Sequence, residues 1–408
     1  MSKVRILAVP SDTHGVGKFR ILDPFKFIAE NYSEDIHVDI SFDVEDKDES
    51  FKDYDVVVFH SFIHKTNHDA NIKRINWLKK NGIIVVMDID DLWFVDQRHP
   101  MYLQIKHNNV GEKKIEMLKL VDYVTTTTPI FAKTIKERLS VKNVSIFPNS
   151  VNDEESQFQP KPSKSDKVRF GWLGGSSHLP DIELMAQGIA SIHNSHKDKT
   201  QFVLCGFDLR GTVTEINEHG QQRQRPIQPL ETVWYKYEKI FTDNYKAISD
   251  EYKTYLNTFT DGQYNDENEP YRRRWTMEVN KYATNYNTFD VSLAPLVESV
   301  FNANKSQLKV IEAGFHKKAI IASETNPYTL DLISAKDFGS SGFNSNGNSL
   351  LVSTSKNHKQ WSQHMKLLID NPNMVEDLGN RLYETVKDTY SLRKTCKDRV
   401  EFFKSIIN

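Results

Sequence analysis

Apolar residues in this chain gather in short unbroken runs, and amphipathic stretches separate the runs. Residues 3–10 (KVRILAVP), 54–59 (YDVVVF), 82–87 (GIIVVM), 122–126 and 144–147 read as strands. Runs that are apolar on both faces belong to a parallel sheet covered by helices. Helical spacing appears at 24–31, 71–81, 113–120 and 129–139. In 71–81 the inward positions are Ile72, Ile75, Trp77 and Leu78, and Gly82 follows as a stop signal. Residues 11–20 (SDTHGVGKFR) read as a glycine-containing loop. The alternation predicts a doubly wound α/β domain over 1–150. It pauses at 151–167, a linker with Ser and Pro and no long apolar run. It then restarts, with strands at 168–173, 200–205, 289–293, 319–323 and 350–353. Helices are expected at 180–193, 306–314, 359–369 and 374–387. The second domain therefore spans 168–390, and a last helix lies within 391–408. Residues 207–286, rich in Tyr, Trp and charge, interrupt it and read as a largely helical insertion. Two Rossmann-like domains facing across a cleft would place ligands at the carboxyl ends of the strands.

Composition narrows the class. At 408 residues the chain exceeds one usual hydrophobic core, in line with two domains. It is 38% hydrophobic and 26% charged, an ordinary globular balance. A mean hydropathy of -0.57, with no apolar run near the ~18 residues of a membrane span, argues against stable membrane insertion. The first residues lack a long apolar core and a small-residue cleavage site, so no signal peptide is expected. Cys205 and Cys396 cannot build a disulfide framework or a four-thiolate metal site, which fits a reducing cytoplasm. The net charge of -2 removes any easy argument for a nucleic-acid partner.

Several residue groups carry candidate chemistry. After the strand at 291–293, a polar Asn-rich loop leads to a helix expected to start near Lys305 or Ser306. A helix start beside these residues suits a phosphate, and Glu312 two turns on can accept from ribose hydroxyls. A solvated helix with a capping serine explains the same residues. Gly174, Gly175, Ser176, Ser177 and His178 join a strand to a helix, as an anion turn or as a plain connection. Gly15 and Gly17 with Lys18 and Arg20 make half a phosphate loop, completing neither GxGxxG nor a Walker A. Asp88, Asp90 and Asp91 end a buried strand. Asp88 and Asp90 share a face and are read as pointing to the cleft; a helix cap and a structural pair are the alternative. Three such carboxylates can also bind Mg²⁺ or Mn²⁺. His60 and His64 follow a strand but lack a third zinc ligand, and a surface-loop position is the simpler reading for them. No serine-hydrolase or Cys–His arrangement is present. Arg272, Arg273 and Arg274, with Tyr271, Trp275 and the aromatics Trp234, Tyr235 and Tyr237, suit an acceptor. A packed amphipathic helix explains the aromatics equally.

Segment 293–323 (LAPLVESVFNANKSQLKVIEAGFHKKAIIAS) resembles the donor-nucleotide motif of family 4 retaining glycosyltransferases of the GT-B fold. Segments 122–152, 170–181 (FGWLGGSSHLPD) and 15–20 (GVGKFR) are similar to other parts of that family in the same order. The insertion has no counterpart. The resemblance implies that Glu312 holds the ribose. Asn304 stands where the family has a first glutamate, a departure from the family's pattern. Gly15, Gly17, the 174–178 turn, Lys305 and Ser306 would bind the donor, and Arg20 the departing diphosphate. Asp88 or Asp90 would orient sugar hydroxyls or stabilise developing positive charge. The implied reaction is glycosyl transfer from a UDP- or GDP-sugar with retention, without a metal or other cofactor. The acceptor would be a glycan or a modified DNA base, held by the first domain and the insertion. A non-catalytic nucleotide-sugar-binding protein, favoured by Asn304, and a nucleotide-sugar epimerase are the alternatives.

Overall fold

The computed structural model describes residues 3–42, 48–64, 67–99, 101–162, 164–206, 212–216, 221–228, 231–242, 250, 267–275, 277–337, 341–353 and 358–407. The chain divides into two compact units. The first holds Met1–Phe158, Glu298–Glu312 and Thr385–Asn408. The second holds Gln159–Val297 and Ala313–Glu384.

The first unit is built on six parallel strands in the order β2-β1-β3-β4-β5-β6. They are β1 (Val4–Val9), β2 (Ile36–Ile40), β3 (Val56–His60), β4 (Ile84–Asp88), β5 (Tyr123–Thr126) and β6 (Val144–Ile146). Strand β2 escaped the sequence reading because IHVDI alternates polar with apolar at the sheet edge. Strands β3 and β4 are buried along almost their whole length, as parallel interior strands should be. Sequence explains where the covering helices begin and end. Asn67 caps His68–Lys80 by accepting from Ala70 N at 3.0 Å. Thr128 caps Pro129–Leu139 by accepting from Phe131 N at 3.1 Å, with Pro at the first helical position. Gly82, at φ +76°, lets the chain turn from helix into β4 where a side chain would be strained.

One sheet face packs Leu7, Val57, Phe59, Val85 and Met87 against helical Ile75, Leu78, Phe131 and Ile135. The other face packs Ile6, Val58 and Val86 with Phe25 and Ile28 and with the last helix, Leu392–Ile407. That helix contributes Leu392, Cys396, Val400 and Phe403 at helical spacing to this core. Its place is thus in the first unit.

The second unit has its own six parallel strands, ordered β11-β8-β7-β12-β13-β14. These are β7 (Val168–Gly174), β8 (Thr200–Gly206), β11 (Tyr271–Trp275), β12 (Val291–Ala294), β13 (Ala319–Ser323) and β14 (Leu350–Val352). Strands β9 (Thr212–Ile216) and β10 (Gln222–Pro226) pair separately as an antiparallel hairpin.

Only part of the insertion, which the sequence reads as largely helical, lies within the described residues. Its described part contains that hairpin, one helix (Val233–Thr242) and β11, which pairs in parallel with β8. The helix buries Trp234, Tyr237 and Phe241. Trp234, Tyr237 and Tyr271 are therefore core, as the packed-helix alternative held, while Tyr235 is half-buried. The rest of the helical expectation, 243–249 and 251–256, lies outside the described residues. With 298–312 grouping with the first unit, the boundaries also differ from the single linker read from the sequence.

Candidate functional site

In the first unit, polar side chains concentrate at the carboxyl ends of β1, β3 and β4. Register puts His60 opposite Asp88 and Asp88 opposite Thr125. His60, at the end of β3, is buried. Its Nδ1 lies 2.8 Å from Ser11 Oγ and its Nε2 3.1 Å from Asp90 Oδ1. Ser11 gives its own proton to Asp12 Oδ2 at 2.7 Å, so His60 faces an acceptor at each nitrogen.

Burial alone would raise the pKa of Asp90. The hydrogen bond and charge of His60, then Arg20 and Lys114, override it and bring the carboxyl down to about 2. Asp91 goes the other way. It has open surface, yet the protein crowded around it, and then the Asp90 carboxylate, push its pKa up to about 6 despite Lys305 and Lys114. Lys114 is lowered, mainly by burial, while Asp90 and Asp91 oppose the shift. Two adjacent carboxyl groups thus hold well-separated proton affinities, the pattern expected where one stays charged and the other exchanges protons near neutrality.

Asp88 has a different task. Arg20 grips it bidentately, Nε to Oδ1 at 2.9 Å and Nη2 to Oδ2 at 2.7 Å, and Thr125 donates to Oδ2 at 2.6 Å. Arg20 Nη1 also donates to Phe147 O at 2.5 Å and to Asn149 Oδ1 at 3.1 Å. Asn149 Nδ2 in turn donates to Ser306 Oγ at 2.9 Å. Arg20 is only 1% exposed. This corrects two expectations. Arg20 sits in a π-helical turn, Lys18–Leu22, inside a helical run over 15–31, and its guanidinium is committed to the interior. Asp88 is bound up in that network, whereas Asp90, the other carboxylate expected on that face, pairs with His60.

Gly15 and Gly17 form the first turn of the same run rather than a free loop. Asp12 Oδ1 accepts from His14 N at 2.8 Å and from Gly17 N at 3.2 Å, which already occupies part of the anion site expected there. A Cβ on Gly17 would stand 1.9 Å from Asp12 O, so close backbone packing explains this glycine.

In the 298–312 segment, a short helix, Val300–Ala303, replaces the expected loop. The next helix begins at Leu308, later than expected, so Lys305 and Ser306 precede it. Lys305 Nζ lies 4.6 Å from the Phe301 ring centroid, and Glu312 is buried. Asn304 Nδ2 donates to Val300 O at 2.7 Å, and its buried Oδ1 has no hydrogen-bond partner among the described residues.

In the second unit, Gly174 ends β7, and the following turn is held from several sides. Tyr237 OH accepts from His178 N at 2.8 Å and donates to Gly175 O at 3.1 Å. His178 Nδ1 meets Asp181 Oδ2 at 2.7 Å. Ser176 lies in this turn, partly exposed.

The arginine cluster does not survive as a unit. Side chains alternate along β11, which buries Arg273 against Glu238 and sends Arg272 and Arg274 to the other face. Tyr271 OH donates to the same Glu238 at 2.8 Å. An acceptor role for Arg273 is corrected to an internal ion pair. Among the described residues, no group of three or more His, Cys, Asp or Glu side chains is placed to hold a metal ion. No described helix is long and apolar enough to cross a membrane.

Sequence reasoning did not select Ser11 or Lys114, placed His60 in a surface loop, and named Asp91 only as a helix cap or one of three cation-binding carboxylates. His60 carried a usable signal, its position at the carboxyl end of an interior strand. Lys114 joins through tertiary packing, and nothing in its local sequence marks it.

No family model matches the chain, and no curated protein matches it in sequence. Solved structures match its fold. A glycosyltransferase from Rickettsia africae superposes with a TM-score of 0.61 at 12% identity, covering 100% of both chains. A UDP-forming α,α-trehalose-phosphate synthase from Burkholderia xenovorans gives 0.52 at 9% identity, covering 88% of this chain and 75% of the other. A trehalose-6-phosphate structure from E. coli, bound with UDP-2-fluoro glucose, gives 0.51 at 8% identity, covering 86% and 73%. The chain has the α/β fold of GT-B glycosyltransferases, with two Rossmann-like domains. At these identities the likeness extends to the fold.

Proposed function

We propose that this protein transfers a glycosyl group from a UDP-type nucleotide sugar to an acceptor hydroxyl. The observation that carries the reading is the Ser11–His60–Asp90 chain with Asp91 and Lys114 beside it. It is a titratable cluster at the strand ends where ligands of such sheets bind. In the reaction the bond between the anomeric carbon and the donor phosphate oxygen breaks. A bond from that carbon to the acceptor oxygen forms. The acceptor proton is released, and the nucleoside diphosphate departs with the bonding electrons. Asp90, held ionised, stabilises positive charge building on the sugar, and Asp91 accepts a proton near neutral pH. The 174–178 turn and the segment of Lys305, Ser306 and Glu312 are assigned to the donor nucleotide. Retention of configuration and independence from metal belong to this proposal through the sequence resemblance, and a cytoplasmic setting through the two-cysteine composition. The fold of the UDP-forming neighbours supports UDP over other bases.

The test is a thermal-shift panel of UDP, GDP, ADP, CMP and their sugar conjugates, each with and without EDTA. The expected result is a shift selective for UDP and its sugars that survives EDTA, followed by UDP release when acceptors are added. No shift with any nucleotide would overturn the proposal.

A further inference from the structure

Asp181 is a buried carboxylate whose two oxygens serve two different backbone segments. Oδ2 lies 2.7 Å from His178 Nδ1, within the turn that follows β7. Oδ1 accepts from Val297 N at 2.8 Å, in the loop that follows β12. Val297 is also the last residue of the second unit before the chain enters the first. The neighbouring amide, Leu296 N, is held by Ser323 Oγ at 2.9 Å from the end of β13. Tyr237 OH holds the turn itself through His178 N and Gly175 O. Three separate elements thus fix the 174–178 turn and the 296–297 amides, and Asp181 touches both.

A carboxylate in this position does something a neutral side chain cannot. It accepts on both oxygens, so it receives the Val297 amide and also requires a proton on His178 Nδ1. That sets the ring tautomer and aims Nε2, as carboxylate partners do for histidines held in position. We infer that Asp181 is the positioning residue of the donor turn, holding His178 in one tautomer and locking the turn to the loop after β12. This rests on the glycosyl-transfer reading for its functional meaning, but its structural content can be tested without turnover.

Asp181→Asn is nearly isosteric and keeps one acceptor for Val297 N. Its amide would face His178 Nδ1 with a donor and move the ring proton to Nε2. The experiment compares wild type, Asp181→Asn and Ser323→Ala by histidine ¹⁵N NMR, by exchange of the Val297 amide, and by kinetics with UDP-glucose. The expected result is an Nδ1–H ring in wild type and an Nε2–H ring in Asp181→Asn. A roughly tenfold lower kcat/KM, the size expected for one charge-assisted hydrogen bond, and an altered pH profile should accompany it. Ser323→Ala should speed exchange nearby and leave the tautomer unchanged. An unchanged tautomer in Asp181→Asn would overturn the inference, and so would an altered tautomer with unchanged kcat/KM and pH profile in an active enzyme. If wild type neither binds UDP-glucose nor turns it over, the proposed function fails, and the tautomer and exchange data still decide whether Asp181 positions His178.

Discussion

Adjacent carboxyl groups in this protein have opposite environments, and this leads to opposite pH behaviour. Asp90 has its pKa brought down to about 2 by His60, Arg20 and Lys114 against the pull of burial. Its contribution to stability is present above the unfolded value near 4 and is lost as pH falls toward 2. Asp91 is pushed up to about 6, by its crowded surroundings and then by Asp90. Between about pH 4 and 6 the folded state holds the Asp91 proton more tightly, so its contribution falls as pH rises through that window. Asp91→Asn should flatten the fall, measured as urea midpoints across pH 4 to 7; an unchanged slope would contradict the assignment. Asp90→Asn should spare nucleotide binding and lower turnover on the order of 100-fold, as for a lost charge-stabilising group. Arg20→Ala differs in kind. It leaves Asp88 buried with its hydrogen bond from Thr125 but without its bidentate arginine, and removing one partner of a buried pair costs about 3–5 kcal/mol. Urea unfolding should show that loss, and a variant as stable as wild type would return Arg20 to the list of ligand-binding candidates.

Elements with a strong local pattern were legible in the sequence, and those stabilised through neighbours were not. The strand AIIAS, apolar up to its closing serine, coincides with Ala319–Ser323, and the last helix coincides with Leu392–Ile407. Strand β11 reads YRRRW, which no hydrophobic pattern identifies; it exists because β8 pairs with it and Glu238 neutralises Arg273 inside. The site divides the same way. Asp90 and the 174–178 turn were visible as strand-end residues. The withdrawal of Arg20 and Asp88 into the interior depends on Phe147 and Asn149, more than a hundred residues from Arg20 in the chain. The last helix allows a test at this scale. Phe403 packs on Phe25 at 5.7 Å between ring centroids and is buried in the first unit's core. Phe403→Ala should cost about 3–5 kcal/mol by lost burial and a residual cavity. Leu103→Ser, on a helix with no buried residue, should change stability by less than about 0.5 kcal/mol. Chemical denaturation of both variants checks the pair, and equal effects would contradict this placement of the last helix.

At the scale of the whole molecule, two units each carry a parallel sheet and a core, so unfolding need not be a single transition. That gives ligand binding a more informative readout than one melting temperature. A ligand at about 100 times its dissociation constant stabilises whatever must unfold to release it by roughly 2.7 kcal/mol. UDP should therefore raise the transition of whichever unit supplies contacts to it, and the affected transitions show which of the assigned segments bind. Glu312 belongs to the first unit and is buried on the helix Leu308–Phe315. If it receives the ribose hydroxyls, Glu312→Ala should reduce the UDP-induced shift by the equivalent of a tenfold or greater loss of affinity, about 1.4 kcal/mol. The variant's own melting temperature, taken without ligand, separates that loss from a general weakening of the helix. Calorimetric scans of wild type and Glu312→Ala, with and without UDP, measure both quantities in one series. A full UDP shift in Glu312→Ala would remove this residue from the nucleotide site. It would leave the fold intact as a GT-B scaffold whose ribose recognition lies elsewhere.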